Sequence, residues 1–266
     1  MKILGLSFGR DKAACAPSVD DELREAQAFF DAGEHEAAIA VWLPLAQAGN
    51  AEAQNGVGVC LIGGLGADAN PEAGAKWLRA AATQGHASAQ RGLADAYMKG
   101  EGAPQSDVDA ELWYRRAAEQ GDAAAQDMLS WLLANSDNRA ADYAESLKWA
   151  RAAAAQGNAA SMTRIGLFHH NALGVARDAD AAVSWWRKGA ARGDADAEAM
   201  LGAAYHIGQG VPRDPVRAYA WLMRARWDGS RLAEKFLNPV FGSLTPAEVE
   251  RGKELARTLP DGEAGP

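Results

Sequence analysis

The sequence predicts an all-α fold, a right-handed superhelical solenoid of stacked antiparallel helix pairs. Three observations carry this. One plan of helix, glycine-rich turn, helix and glycine stop recurs without a gap every 36 residues, from Ala51, Ala87, Ala123, Ala159 and Ala195. Trp77, Trp113, Trp149, Trp185 and Trp221 hold one place in the five units, and Gly85, Gly121, Gly157, Gly193 and Gly229 hold another. The apolar residues between them follow helical spacing. Self-similarity at such a period marks stacked units that each pack on their neighbours.

Residues 1–19 are expected to form a flexible leader. Lys2 and the apolar run Ile3 to Phe8 have the outline of a secretion signal. The run is short, and Arg10, Asp11 and Lys12 interrupt it before the small residues Ala13 to Ala16. Residues 20–50 read as a shorter, divergent first repeat. Phe29, Phe30, Ile39, Trp42 and Leu45 supply its apolar faces, and Asp31 to Glu34 form a compressed turn. A terminal repeat is atypical because one of its faces meets solvent.

Residues 51–230 form the five regular repeats, numbered here by position 1 to 36. Position 7 (Val57, Leu93, Leu129, Ile165, Leu201) and position 11 (Leu61, Tyr97, Leu133, His169, Tyr205) share one face of the first helix. The Trp at position 27 and the Ala-rich positions 31 and 32 form the inner face of the second. Trp113 and Trp185 are accordingly predicted to be buried between neighbouring units. Asn50, Asp122, Asn158, Asp194 and Ser230 stand where the next helix needs an N-cap, and His86 alone departs from the preferred residue types. Asn70, Ser106, Asp142, Asp178 and Asp214 cap the second helices. Glycine at position 35 suits the left-handed residue that ends a helix. Gly64 and Gly66, Gly100 and Gly102, and Gly208 and Gly210 allow a tight loop between the helices. Ser136 and Asn138 replace that pair in one unit, whose loop is expected to differ. Arg79, Arg115, Arg151 and Arg187 place positive charge near a helix C-terminus, where the macrodipole favours it.

Residues 231–259 read as a cap of two helices. Leu232, Phe236 and Leu237 continue the first-helix pattern, and Pro239 is expected to end it. Thr245 and Glu248 then form a capping box, with Leu244 and Val249 as the hydrophobic staple. Residues 260–266 are expected to be a disordered tail.

The spacing of these residues, best carried by Leu201 to Ala225 (LGAAYHIGQGVPRDPVRAYAWLMRA), resembles the Sel-1-like repeat family, a relative of the tetratricopeptide repeat. The resemblance covers roughly residues 20 to 258. It implies a protein that holds other proteins together, in signalling, quality control or at a bacterial envelope. It fixes no particular activity, because a fold hosts many functions.

Composition narrows the classes. The formal net charge is −8 and the pI about 5.2, against a surface for nucleic-acid phosphates. No apolar run reaches the roughly 20 residues that span a bilayer. Cys15 and Cys60 are too few for a disulfide framework, which fits a reducing cytoplasm. A periplasmic or secreted protein is the alternative if residues 1–16 act as a signal.

No nucleophile elbow, phosphate loop or zinc-protease helix is present, so no catalytic residue, metal or cofactor is assigned. His170 and His206 share position 12 of adjacent repeats, but a metal site needs three or four converging ligands. The binding expectation rests on the first helices. By analogy with related helical repeats, positions 2, 5, 9 and 12 face a concave groove. That gathers Arg91, Asp95, Met98, Asp127, Trp131, Leu167, His170 and His206, with Arg164 beside them. Trp131 is the only aromatic residue at position 9. It reads either as an anchor for a partner protein or peptide, or as packing beneath its own loop. The function predicted is a non-catalytic scaffold or adaptor. An enzyme or regulator of cell-envelope material, with its site in a groove pocket, is the alternative.

Overall fold

The computed structural model describes residues 17–135 and 140–259. The leader up to residue 16, the loop with Ser136 and Asn138, and the tail from 260 lie outside the described residues. The chain divides into two compact units, Met1–Pro104 and Gln105–Pro266. The division falls inside the 87–122 repeat, between its two helices. All regular structure among the described residues is helical.

The first unit contains α1 (Val19–Asp31), α2 (His35–Gln47), α3 (Ala51–Gly63), α4 (Pro71–Thr83) and α5 (Ala87–Lys99). Each helix packs on the next, and α3 also touches α5. The helical boundary reaches further into the leader than expected. Ser18 caps α1 and closes a capping box with Asp21, so Ser18 and Val19 belong to the fold. Trp42 is buried at the centre of this unit, with Phe29, Phe30, Ile39 and Leu45 packed around it.

The second unit contains α6 (Asp107–Glu119), α7 (Ala123–Asn135), α8 (Tyr143–Ala155), α9 (Ala159–Asn171), α10 (Ala179–Ala190), α11 (Ala195–Ile207), α12 (Pro215–Trp227), α13 (Arg231–Phe241) and α14 (Pro246–Thr258). Again each helix from α6 to α12 packs on its successor, and α14 closes over α12. Within this unit α7 touches α9, α9 touches α11 and α11 touches α13, so the first helices of successive repeats form one layer.

Side chains cap the helices as the spacing requires. Asn70, Ser106, Asp142, Asp178 and Asp214 each accept a backbone N–H three residues on. His86 does the same work: its Nδ1 accepts from the Ala89 N–H at 3.2 Å. The imidazole thus replaces the carboxamide or carboxylate found elsewhere. In the loop after α9 a non-glycine residue, Ala172, takes the left-handed conformation at φ 57°.

The helix pairs interlock through positions 8 and 28. Position 8 is small (Gly58, Ala94, Ser130, Gly166, Gly202), and at the three glycines position 28 packs directly on it: Leu78 on Gly58, Trp186 on Gly166 and Leu222 on Gly202. At Gly166 the fit is closest: a Cβ built there would lie 2.3 Å from Trp186 Nε1. The indole N–H donates to the Thr163 carbonyl at 3.3 Å. This corrects one expectation about the core. Trp113 is buried, but Trp185 is only partly so, and its neighbour Trp186 fills the interior at 2% exposure. In this repeat Trp186 points at the first helix, whereas Trp185 sits at the edge of the second; in the last repeat the position-27 residue, Trp221, is itself fully buried. Lys188 Nζ covers the Trp185 ring at 4.1 Å, and Arg116 covers Trp113 at 4.5 Å.

Polar groups tie one repeat to the next. Gln54, Gln90 and Gln126, all buried at position 4, donate to the carbonyls of Ala46, Ala82 and Ala118 at 3.1 to 3.2 Å. Gln84 and Gln156 then donate to the side-chain oxygens of Gln54 and Gln126. The position-29 arginines reach beyond their own helix ends. Arg79 donates to the Tyr97 hydroxyl at 2.8 Å and Arg187 to that of Tyr205 at 3.4 Å. Where Leu133 replaces the tyrosine, Arg115 pairs instead with Glu145 and Glu111. In the last repeat position 4 is Glu198, fully buried, with Arg224 Nε 2.9 Å from its carboxylate. Arg224 also donates to the Leu259 carbonyl at 2.8 Å, fastening the end of the cap.

Pro239 does not end α13, which continues to Phe241. Its ring sits on the exposed side, and the next residue, Val240, is fully buried and holds the last turn in the core. The predicted capping box of Thr245 and Glu248 is present, and Leu244 and Val249 pack into the same core.

Candidate functional site

The predicted groove residues fall in both units. In the first, Arg91 and Asp95 line a cleft of about 360 Å³ with Asn55, Val59, Ile62 and Leu65. The Asn55 Oδ1 is buried there without a hydrogen-bond partner. Met98 is half-buried and does not line this cleft.

In the second unit the structure brings Trp131, Arg164 and Leu167 together around a cleft of about 460 Å³. Trp131 comes from α7, and Arg164 and Leu167 from α9. Asp194 and Asp196, at the start of α11, also line it. Trp131 is 41% exposed, unlike the other second-unit tryptophans at positions 27 and 28 of their repeats. Phe168 and Tyr143 lie edge to face beneath, with ring centroids 6.0 Å apart, and give the cleft an apolar floor.

The polar rim is tightly bonded. Asp127 holds Arg164, with Nη1 2.5 Å from the carboxylate and 3.1 Å from the Asp127 carbonyl. Ser161 donates to the same carboxylate. Asp194 accepts from the Thr163 hydroxyl at 2.7 Å and from the Asp196 N–H at 2.9 Å. Asp196 accepts from the Ser230 hydroxyl at 2.5 Å.

His170 belongs to a neighbouring apolar cavity of about 100 Å³, with Trp186, Met200, Ile207 and Phe236. Burial, and then the charge of Arg177, push its pKa below the ordinary histidine value. His206 is half-buried and lines neither space. Among the described residues no group of three or more His, Cys, Asp or Glu converges on a metal position. No helix among them is long and apolar enough to cross a membrane.

Sequence reasoning did not name Asp194, whose cap phase already accounted for it, or Asp196, although Asp196 stands at position 2, one of the groove positions. It also missed Glu198, whose signal was the break in the run of glutamines at position 4.

Comparison with known proteins agrees with the repeat fold. A family model described as Sel1 repeat matches residues 51–86, 87–122, 123–158, 159–194 and 195–225. A Sel1 repeat protein from Oxalobacter formigenes is similar in structure, with a TM-score of 0.80 and 33% identity over 92% of this chain and 99% of that one. A protective antigen of uropathogenic Escherichia coli strains, with an SLR fold, is similar at a TM-score of 0.83 and 29% identity. That alignment covers 90% of this chain and 52% of the antigen, so this chain spans about half the antigen's length. No match was found among curated proteins.

Proposed function

The chain belongs to the Sel1 repeat family, whose members are in general non-catalytic protein-interaction scaffolds, and from that premise we propose that it holds a peptide segment of a partner protein across α7, α9 and α11. The observation that carries the proposal is Trp131. A large aromatic side chain left 41% exposed over an apolar floor has the makeup of an interface anchor, with Arg164 and its neighbours as the polar surround. Apolar area on the tryptophan supplies the attraction, and the bonded rim limits the orientations a partner adopts. The same proposal places the protein in the cytoplasm, which fractionation and sequencing of the mature N-terminus check.

The test uses peptides selected by display against the full chain. Trp131→Ala weakens their binding by at least ~2 kcal/mol and leaves the melting temperature near that of the parent. Trp149→Ala is the control. That ring is 8% exposed and its N–H donates to Glu145 at 3.2 Å, so its loss unfolds the protein first. Equal destabilisation by both changes, or unchanged peptide binding by Trp131→Ala, refutes the proposal.

A further inference from the structure

Among the described residues the charges around the Trp131 cleft do not cancel. The one arginine among them that lines it, Arg164, is held by Asp127, so that pair contributes no net charge. Asp194 and Asp196 remain. Their hydrogen bonds come from neutral donors, the hydroxyls of Thr163 and Ser230 and the backbone N–H groups of Asp196 and Ala197. Among the described residues no cation pairs with either. Arg192, two residues before Asp194, turns away and donates to the Lys188 carbonyl at 3.3 Å. The described lining of the cleft therefore presents two carboxylates without a cation together with an exposed indole.

We propose that the segment this cleft takes is cationic: an extended peptide with an apolar side chain for Trp131 and a lysine or arginine next to it for Asp194 and Asp196. The inference rests on the reading of the Trp131 cleft as the docking site and names the chemistry of its partner. An anionic segment would meet two like charges, which costs binding and selects against it. The hydroxyl donors fix both carboxylates before the partner arrives, so little ordering is left to oppose binding. Partner and protein also attract at long range, since the whole chain carries a net charge of −8.

A random peptide library displayed on phage is panned against the full chain, with Trp131→Ala protein as the counter-selection. The expected enriched sequences carry net positive charge beside an aromatic or aliphatic residue. A synthetic peptide of that consensus, followed by fluorescence anisotropy, loses affinity about fivefold to tenfold in the Asp194→Asn, Asp196→Asn double variant, as two screened ion pairs require. Asn keeps the cap of α11, so the fold is retained. Binding also weakens with added salt. Enriched peptides that are neutral or acidic but still depend on Trp131 overturn the charge inference and leave the docking site standing. Peptides indifferent to Trp131 overturn both. A Trp131-dependent dimer of the full chain in sedimentation also overturns the inference, because the occupant is then a second copy.

Discussion

Replacing Gly166 by alanine tests the interlock of the helix pairs. In an exposed helix interior this change stabilises by about 1 kcal/mol, because glycine is the poorer helix former. Here the new methyl would lie 2.3 Å from Trp186 Nε1 and 2.5 Å from the adjoining ring carbon. The indole is 2% exposed and its N–H is held by the Thr163 carbonyl, so it has nowhere to turn. Overpacking a closed core costs about 1–3 kcal/mol, and a contact this short belongs at the upper end. Subtracting the helix gain leaves a net loss of about 2 kcal/mol. Urea unfolding followed by circular dichroism reads it as a lower midpoint. Gly92→Ala is the control, since its methyl would meet the flexible Leu78 side chain at 3.1 Å and should change little. Combining Gly166→Ala with Trp186→Leu should cost less than the sum of the single changes, because the shorter side chain vacates the methyl's place. A Gly166→Ala protein as stable as the parent refutes the idea that the indole dictates glycine at position 8.

Three further outcomes are expected in the same unfolding assay. Trp186→Ala costs about 3–5 kcal/mol, whereas Trp185→Ala, at the helix edge, costs much less; equal losses would contradict the assignment of this repeat's core to Trp186. Arg224→Ala takes the cation from buried Glu198 and costs about 3–5 kcal/mol, and exchanging the pair for Gln and Met is close to neutral. A harmless Arg224→Ala would show that Glu198 does not need that charge. Burial holds the pKa of His86 below the ordinary histidine value, partly opposed by Glu52. The stability this contributes is present above the unfolded value of about 6.5 and is lost as pH falls through the lower folded value. Protonation also removes the Nδ1 acceptor for the Ala89 N–H, a cap of about 1 kcal/mol. His86→Asn keeps a cap and should flatten the stability profile between about pH 7 and 5; an unchanged profile speaks against this role.

Periodicity made the helices legible, because helix ends are local chemistry. Caps such as Asp178 and the Thr245 box are read from two or three neighbouring residues. The facing of helices is not local. Trp185 and Trp186 differ by one step along the chain, and it is Trp186 that packs on Gly166 of the neighbouring helix. Pro239 looked like a stop because its missing N–H is a local fact, while the burial of Val240 that outweighs it is a tertiary one. In the cleft, the phase of the first helices pointed to Trp131 and Leu167, with Arg164 beside them. Asp194 and Asp196 come from a different repeat and are brought there by the packing of α9 on α11.

The buried glutamines carry a lesson for dividing or lengthening the chain. The amide of Gln126 is bonded to a carbonyl eight residues earlier, that of Ala118, across the boundary at which the repeat is formally counted. A fragment that begins at Ala123 therefore loses that acceptor and exposes the amide. A cut in the loop between the two helices of a repeat keeps amide and carbonyl on the same piece. Gene duplication, or a designer joining modules, does best to treat the loop as the seam: every copy made that way arrives with both halves of its fastening already in place.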